Sequence, residues 1–189
     1  MFLNKKALSL IEVLIVILIL WFVLVSVLSV ITRNFFNIDY VNTKSQATYF
    51  AKEWIEMVLN NVDSNIEKWM NRNCAYYNEN YNCESYFSTW VYKIDLSFDE
   101  RFYSIEETEA KFDKNILYYH TWTNANSSVF YYNHNSSWKE TFFSRYLKFE
   151  ELDMEEKSDD IFKINSIVEY KKWTMTWEVI LESFISNVR

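Results

Sequence analysis

The chain has 189 residues, half of them apolar and a fifth aromatic, with a formal net charge of −7. That length suits one domain, or a membrane segment followed by one domain, and the apolar fraction is enough for a sizeable core. The acidic balance argues against a general nucleic-acid surface, which would be basic. The first element is the apolar run that opens the chain, MFLNKKALSLIEVLIVILILWFVLVSVLSVITR. Val13 to Val25 is apolar throughout, and no charge falls between Val13 and Thr32. About 20 such residues cross a bilayer as a helix. Lys5 and Lys6 precede the run, and paired lysines predict a cytoplasmic N-terminus. An ordinary secretory signal would be shorter and end in an A-x-A-like site, which is missing here.

Glu12 is the unusual residue of this segment. A charged side chain well inside a bilayer costs about 2.5–3.5 kcal/mol, so it needs a compensating partner. Ser9 and Glu12 fit the S-x-x-E capping box, which places the carboxylate in the first helical turn. Capping and a functional role both remain open on these residues alone.

The stretch KKALSLIEVLIVILIL resembles the class III signal of type IV prepilins and type II secretion pseudopilins. In that family a short basic leader ends in Gly or Ala, and a hydrophobic residue and a [ST]-L-[IL]-E-V-L run follow. The resemblance implies a leader over 1–7, cleavage between Ala7 and Leu8, and methylation of the new Leu8 amine. Glu12 becomes the fifth mature residue, where the family carries its glutamate. Ala7 and Leu8 depart from the commoner glycine and phenylalanine. In a filament, Glu12 of one subunit would then neutralise the buried amine of its neighbour, and removing either partner would leave an unpaired charge.

Past Arg33 the chain turns polar but keeps a helical period. Ala47, Ala51, Ile55, Val58, Val62 and Ile66 form an apolar stripe, predicting that the helix continues to about Asn65–Asn73 and packs on a globular head. Cys74 and Cys83, the only cysteines, suit one disulfide closing a short loop in an exported head.

Beyond Tyr86 short β-type runs alternate with polar turns. The expected strands are WVYKIDLSF, NILYYHT, SVFYYNH, ETFFSRYLKFEEL, DIFKINSIVEYKK and EVILESFI, the last two as a hairpin. Alternation predicts one core and one exposed residue in each of Tyr76-Tyr77, Tyr118-Tyr119 and Tyr131-Tyr132. The acidic stretch EELDMEEKSDDIF reads as a solvated loop. Asp153, Glu155, Asp159 and Asp160 are its weak calcium candidates, since no D-x-[DN]-x-[DN]-G loop is present. His120 and His134 have no ligand-like spacing and no paired nucleophile, so neither points to a metal or to catalysis.

Glycine and proline are both absent, while tryptophan occurs eight times. Average usage would put roughly a dozen glycines here. Abundant Asn, Lys, Ile, Tyr and Phe indicate an AT-rich genome, but turns still need residues that reach positive φ, and glycine does so most cheaply. Trp122, Trp138, Trp173 and Trp177 lie in or beside polar turn-like stretches. Some bacteria read UGA as glycine, so most of these tryptophans are expected to be glycines in the native protein; the alternative is a tryptophan-rich chain whose turns use asparagine. With that change at Trp54, AKEWIEMV also resembles the helix of minor pilins.

The expected fold is therefore α+β, a long N-terminal helix packed on an antiparallel sheet. Its divisions are 1–7 leader, 8–32 membrane or filament-core helix, 33–73 amphipathic helix and 74–189 head. The resemblance implies a structural subunit of a type IV pilus or pseudopilus, not an enzyme, with no cofactor. Its partners would be other pilin subunits, a prepilin peptidase and an assembly platform with its ATPase. Nucleic acid would enter only through a DNA-uptake filament. The location would be the inner membrane, single-pass, and then a surface filament or periplasmic pseudopilus. The alternative is a signal-anchored envelope protein whose head binds a ligand or cell-wall component.

Overall fold

A computed structural model describes residues 10–68, 71, 74–77, 83–96, 103–124, 127–134, 136, 139–152, 161–172 and 174–186. The chain divides into two compact units, Met1–Thr43 and Lys44–Arg189. One helix, α1 (Leu10–Glu67), supplies the first unit and the start of the second. No glycine or proline interrupts its 58 residues, so nothing in the sequence breaks the ladder.

In the first unit, residues 10–42 are exposed, including every apolar side chain from Leu10 to Ile31. This stretch is long and apolar enough to cross a membrane. At 1.5 Å per residue its 22 positions rise about 33 Å, close to the thickness of a bilayer core. Two hydroxyls of the exposed helix are satisfied locally. Ser26 Oγ donates to the Phe22 carbonyl at 2.8 Å, and Thr32 Oγ1 to the Leu28 carbonyl at 2.9 Å. Such back-bonding pairs these two hydroxyls without water, as an apolar surrounding would require.

The second unit is the head. Among the described residues nine strands follow α1: β1 (Cys74–Tyr77), β2 (Cys83–Tyr86), β3 (Val91–Leu96), β4 (Tyr103–Glu107), β5 (Ile116–Asn124), β6 (Ser127–Asn133), β7 (Lys139–Leu152), β8 (Ile161–Lys172) and β9 (Met175–Ser186). β1 and β2 form a small antiparallel pair, and the other seven form one antiparallel sheet. β7 is its spine. Along one edge β7 pairs with β8 from Phe143 to Leu152. Along the other it pairs first with β5, through Lys139, Glu140 and Ser144, and then with β3, through Leu147 and Lys148. β4 and β6 extend β3 and β5, and β9 lies outside β8. The expected α+β layout is the observed one.

The helical seam that faces the core is Ala47, Ala51, Trp54, Val58 and Val62, all at most 5% exposed, with Asn65 at 4%. The expected stripe held four of these. Ile55 is only half-buried and Ile66 is 40% exposed. Trp54 and Asn65 take the inward positions instead. Asn65 does so because its Nδ2 donates to the Cys74 carbonyl at 3.0 Å, joined by Asn61 Nδ2 at 3.2 Å. Tyr92, Ile94, Leu147, Phe149, Phe162, Ile164 and Ile185 pack with the seam around Trp54 and Val58. Leu117, Phe143, Val168 and Tyr170 pack around the two alanines. Each fully buried large side chain contributes about 1.5–3 kcal/mol.

All six expected strands form, and β8 and β9 pair without a shift over twelve residues. β1, β2 and β4 were not expected. Tyr118 and Tyr119 are both half-buried, where alternation predicted one in and one out. They lie on the β5–β6 ribbon at one end of the sheet, where the Tyr119 ring packs against Tyr132 with centroids 5.5 Å apart. Of the other two pairs, only the Tyr132 side chain is described, and it is half-buried.

Candidate functional site

Glu12 lies in the first turn of α1 and is exposed. An acid at such a position suits the positive end of a helix dipole. From Val13 to Ile31 the exposed surface that follows it is apolar apart from Ser26 and Ser29. Any second chain packed along this surface would meet one acid at its edge. Lys5, Lys6, Ala7 and Leu8 lie outside the described residues.

In the head, four charged or titratable groups converge from distant parts of the chain. Arg145 on β7 is 2% exposed at its side chain, and its Nη1 donates to Glu53 Oε2 on α1 at 2.6 Å. The same nitrogen reaches the Phe50 carbonyl at 3.4 Å. The guanidinium carbon lies 4.2 Å over the Trp54 ring. Burial works against the Arg145 charge, and the Glu53 carboxylate and then Asp95 work for it, the net being downward.

Asp95, near the end of β3, receives His134 three times. The backbone N–H of His134 donates to both carboxylate oxygens at 3.2 and 3.3 Å, and ring Nδ1 lies 2.8 Å from Oδ1. Burial raises the Asp95 pKa, but the His134 hydrogen bonds and the charges of His134 and Arg145 outweigh it, so the carboxyl titrates below its ordinary value. The other ring nitrogen, Nε2, lies 3.2 Å from the Arg145 carbonyl. A carboxylate and a carbonyl only accept, so the ring makes both bonds when each nitrogen carries hydrogen. With both nitrogens committed and its side chain 3% exposed, His134 offers no free nitrogen to a substrate. The cluster ties α1, β3 and β7 together and fits a structural role.

The expected disulfide is formed. Cys74 and Cys83 are bonded, with Cα atoms 5.8 Å apart, and the bond staples β1 to β2. Asn61 and Asn65 then hold the Cys74 carbonyl against α1. Asp153, Glu155, Asp159 and Asp160 lie outside the described residues. Among the described residues, no group of three or more His, Cys, Asp or Glu is placed to hold a metal ion. The backbone of His120 pairs with Tyr131 between β5 and β6, away in sequence from the Asp95–His134 pair.

Sequence reasoning missed the Glu53–Arg145 and Asp95–His134 pairs. The one available signal was that an arginine inside the alternating apolar run FFSRYLKF occupies an inward register position. No protein-family model, no curated protein and no solved structure matches the chain.

Proposed function

We propose that this chain is a pilin-like subunit, made as a single-pass membrane precursor and assembled into a filament through its N-terminal helix. Processing would cut between Ala7 and Leu8 and methylate Leu8, and the function is assembly rather than chemistry. The observation that carries this reading is the register of Glu12. It is the one acid at the head of a 20-residue uncharged run, five positions after Ala7 and in the first turn of an exposed apolar helix. A neighbouring subunit's N-terminal amine is the partner that such an acid needs once water is excluded. The stapled, ion-paired head suits a part that must stay folded outside the cytoplasm.

The second reading, a signal-anchored envelope protein with a ligand- or cell-wall-binding head, is favoured by the same first turn. There a carboxylate is stabilised by the helix dipole with no partner at all. Glu12→Ala separates the two. Under the filament reading the variant reaches the membrane at the wild-type level but is lost from sheared surface filaments. Incorporation equal to wild type would count against the ion pair.

A further inference from the structure

Among the described residues three strands end the large sheet. β9 pairs only with β8, β6 only with β5, and β4 only with β3. An open edge presents a row of unpaired N–H and C=O groups, and proteins guard it with short strands, Lys, Pro or a bulge. β9 has none of these. It runs for twelve residues, MTWEVILESFIS, holds no Lys, Arg or Pro, and follows β8 without a register shift. β4, by contrast, is five residues long and ends in two acids, Glu106 and Glu107.

β9 also keeps apolar area open on both faces. Ile180 is 46% exposed and Phe184 57%. On the alternate positions Trp177, Val179 and Leu181 pack against the core and stay half-buried. A strand laid along β9 covers both rows while its backbone pairs with the open edge.

Charge decides which strand that is. The charged side chains of β9 are Glu178 and Glu182. Glu182 is paired with Lys163 at 2.6 Å, but Glu178 stands opposite Glu169 of β8, a like-charge pair that a third acid would worsen. A copy of β9 laid antiparallel about Ile180 sets Glu178 against Glu182 twice. β4 would bring Glu106 and Glu107. β6 brings no charge, and from Asn115 to Trp138 the sequence holds no Asp, Glu, Lys or Arg. In a chain of net charge −7, this is the acid-free edge.

We propose that β9 takes the β6 edge of a second copy of this chain as an added strand. The two surfaces differ, so each joined pair leaves one β6 and one β9 open. Heads therefore add head to tail instead of closing as a dimer. The contact lies wholly in the head and holds whether or not the N-terminal helix builds a filament.

The test uses the full chain in detergent. Sedimentation of the wild type across a concentration series should show mass growing past the dimer. Ile180→Asp with Phe184→Asp blocks β9, and Ser127→Asp with Ser128→Asp puts an acid on each face of β6. Near-UV circular dichroism selects variants that keep the wild-type fold. Each blocked variant alone should lose the growth, and the two mixed should form a one-to-one complex that grows no further. In the wild type, amide exchange should slow together across Met175–Ser186 and Ser127–Asn133 as concentration rises, a readout that needs no variant. Glu12→Ala should leave the series unchanged, which separates this contact from the filament reading. A wild type of constant mass, growth that survives either block, blocked variants that fail to pair, or exchange that slows in fewer than both strands overturns the proposal.

Discussion

Arg145 of β7 and Glu53 of α1 meet at 2.6 Å although 92 positions separate them in the chain. The two ends of this bridge differ in burial, with the Arg145 side chain 2% exposed and Glu53 48% exposed. That asymmetry decides which loss is worse. Glu53→Ala leaves a guanidinium unpaired inside the head and should cost about 2–3 kcal/mol. Arg145→Met removes the buried charge itself, leaves Glu53 near water, and should cost less than about 1.5 kcal/mol. Denaturant unfolding of the full chain in detergent, followed by near-UV circular dichroism, gives both values.

Asp95 gives the head a dependence on acid. Its folded-state pKa lies below the ordinary value of 3.8, so the stability it adds is complete above that value and fades as pH falls through the folded one. The melting temperature of the wild type should therefore drop as pH falls below about 4, where the carboxylate begins to bind protons. Asp95→Asn should lower stability at neutral pH by about 2 kcal/mol, the scale of hydrogen bonds to a charged group. It should also flatten the acid limb, which melting curves across that range would register.

The Cys74–Cys83 bond closes a loop with a sequence separation of 9. The chain-entropy relation assigns such a loop about 2.5 kcal/mol. Replacing both cysteines by serine should lower head stability by about that amount while leaving the helix content of α1 unchanged. Reduction of the wild type should give a similar fall.

What could be read in advance follows physical range. β8 and β9 were legible because IFKINSIVEYKK and EVILESFI are rich in β-branched and aromatic residues over a length that suits strands. β4 was not, since YSIEE offers one internal apolar residue, Ile105, against two adjacent acids. β1 and β2 are four residues each and are held by a disulfide and two asparagines, which leave no period to find. The helical stripe failed at Ile66 because a carbonyl on β1, not apolar area, set which side chain turned inward at the helix end. The disulfide needed only two cysteines. The Asp95–His134 pair joins residues 39 apart through a fold that had first to be built, so no local pattern announced it.

Trp177 on β9 is half-buried, and its ring stacks on Tyr170 with centroids 5.7 Å apart. Aromatic pairs of this kind contribute about 0.5–1.5 kcal/mol beyond the area they bury. Trp177→Gly should therefore lower Tm, by about 2–4 °C for each kcal/mol lost in a protein of this size, which a melting curve of the variant would register.

The central claim concerns what happens at the start of the chain. Mass spectrometry of the mature N-terminus, on protein recovered from membranes or filaments, tests it most directly. The account predicts a chain beginning at Leu8 with a methylated amine. A chain that keeps Met1, or one cut beyond Val25, would contradict it.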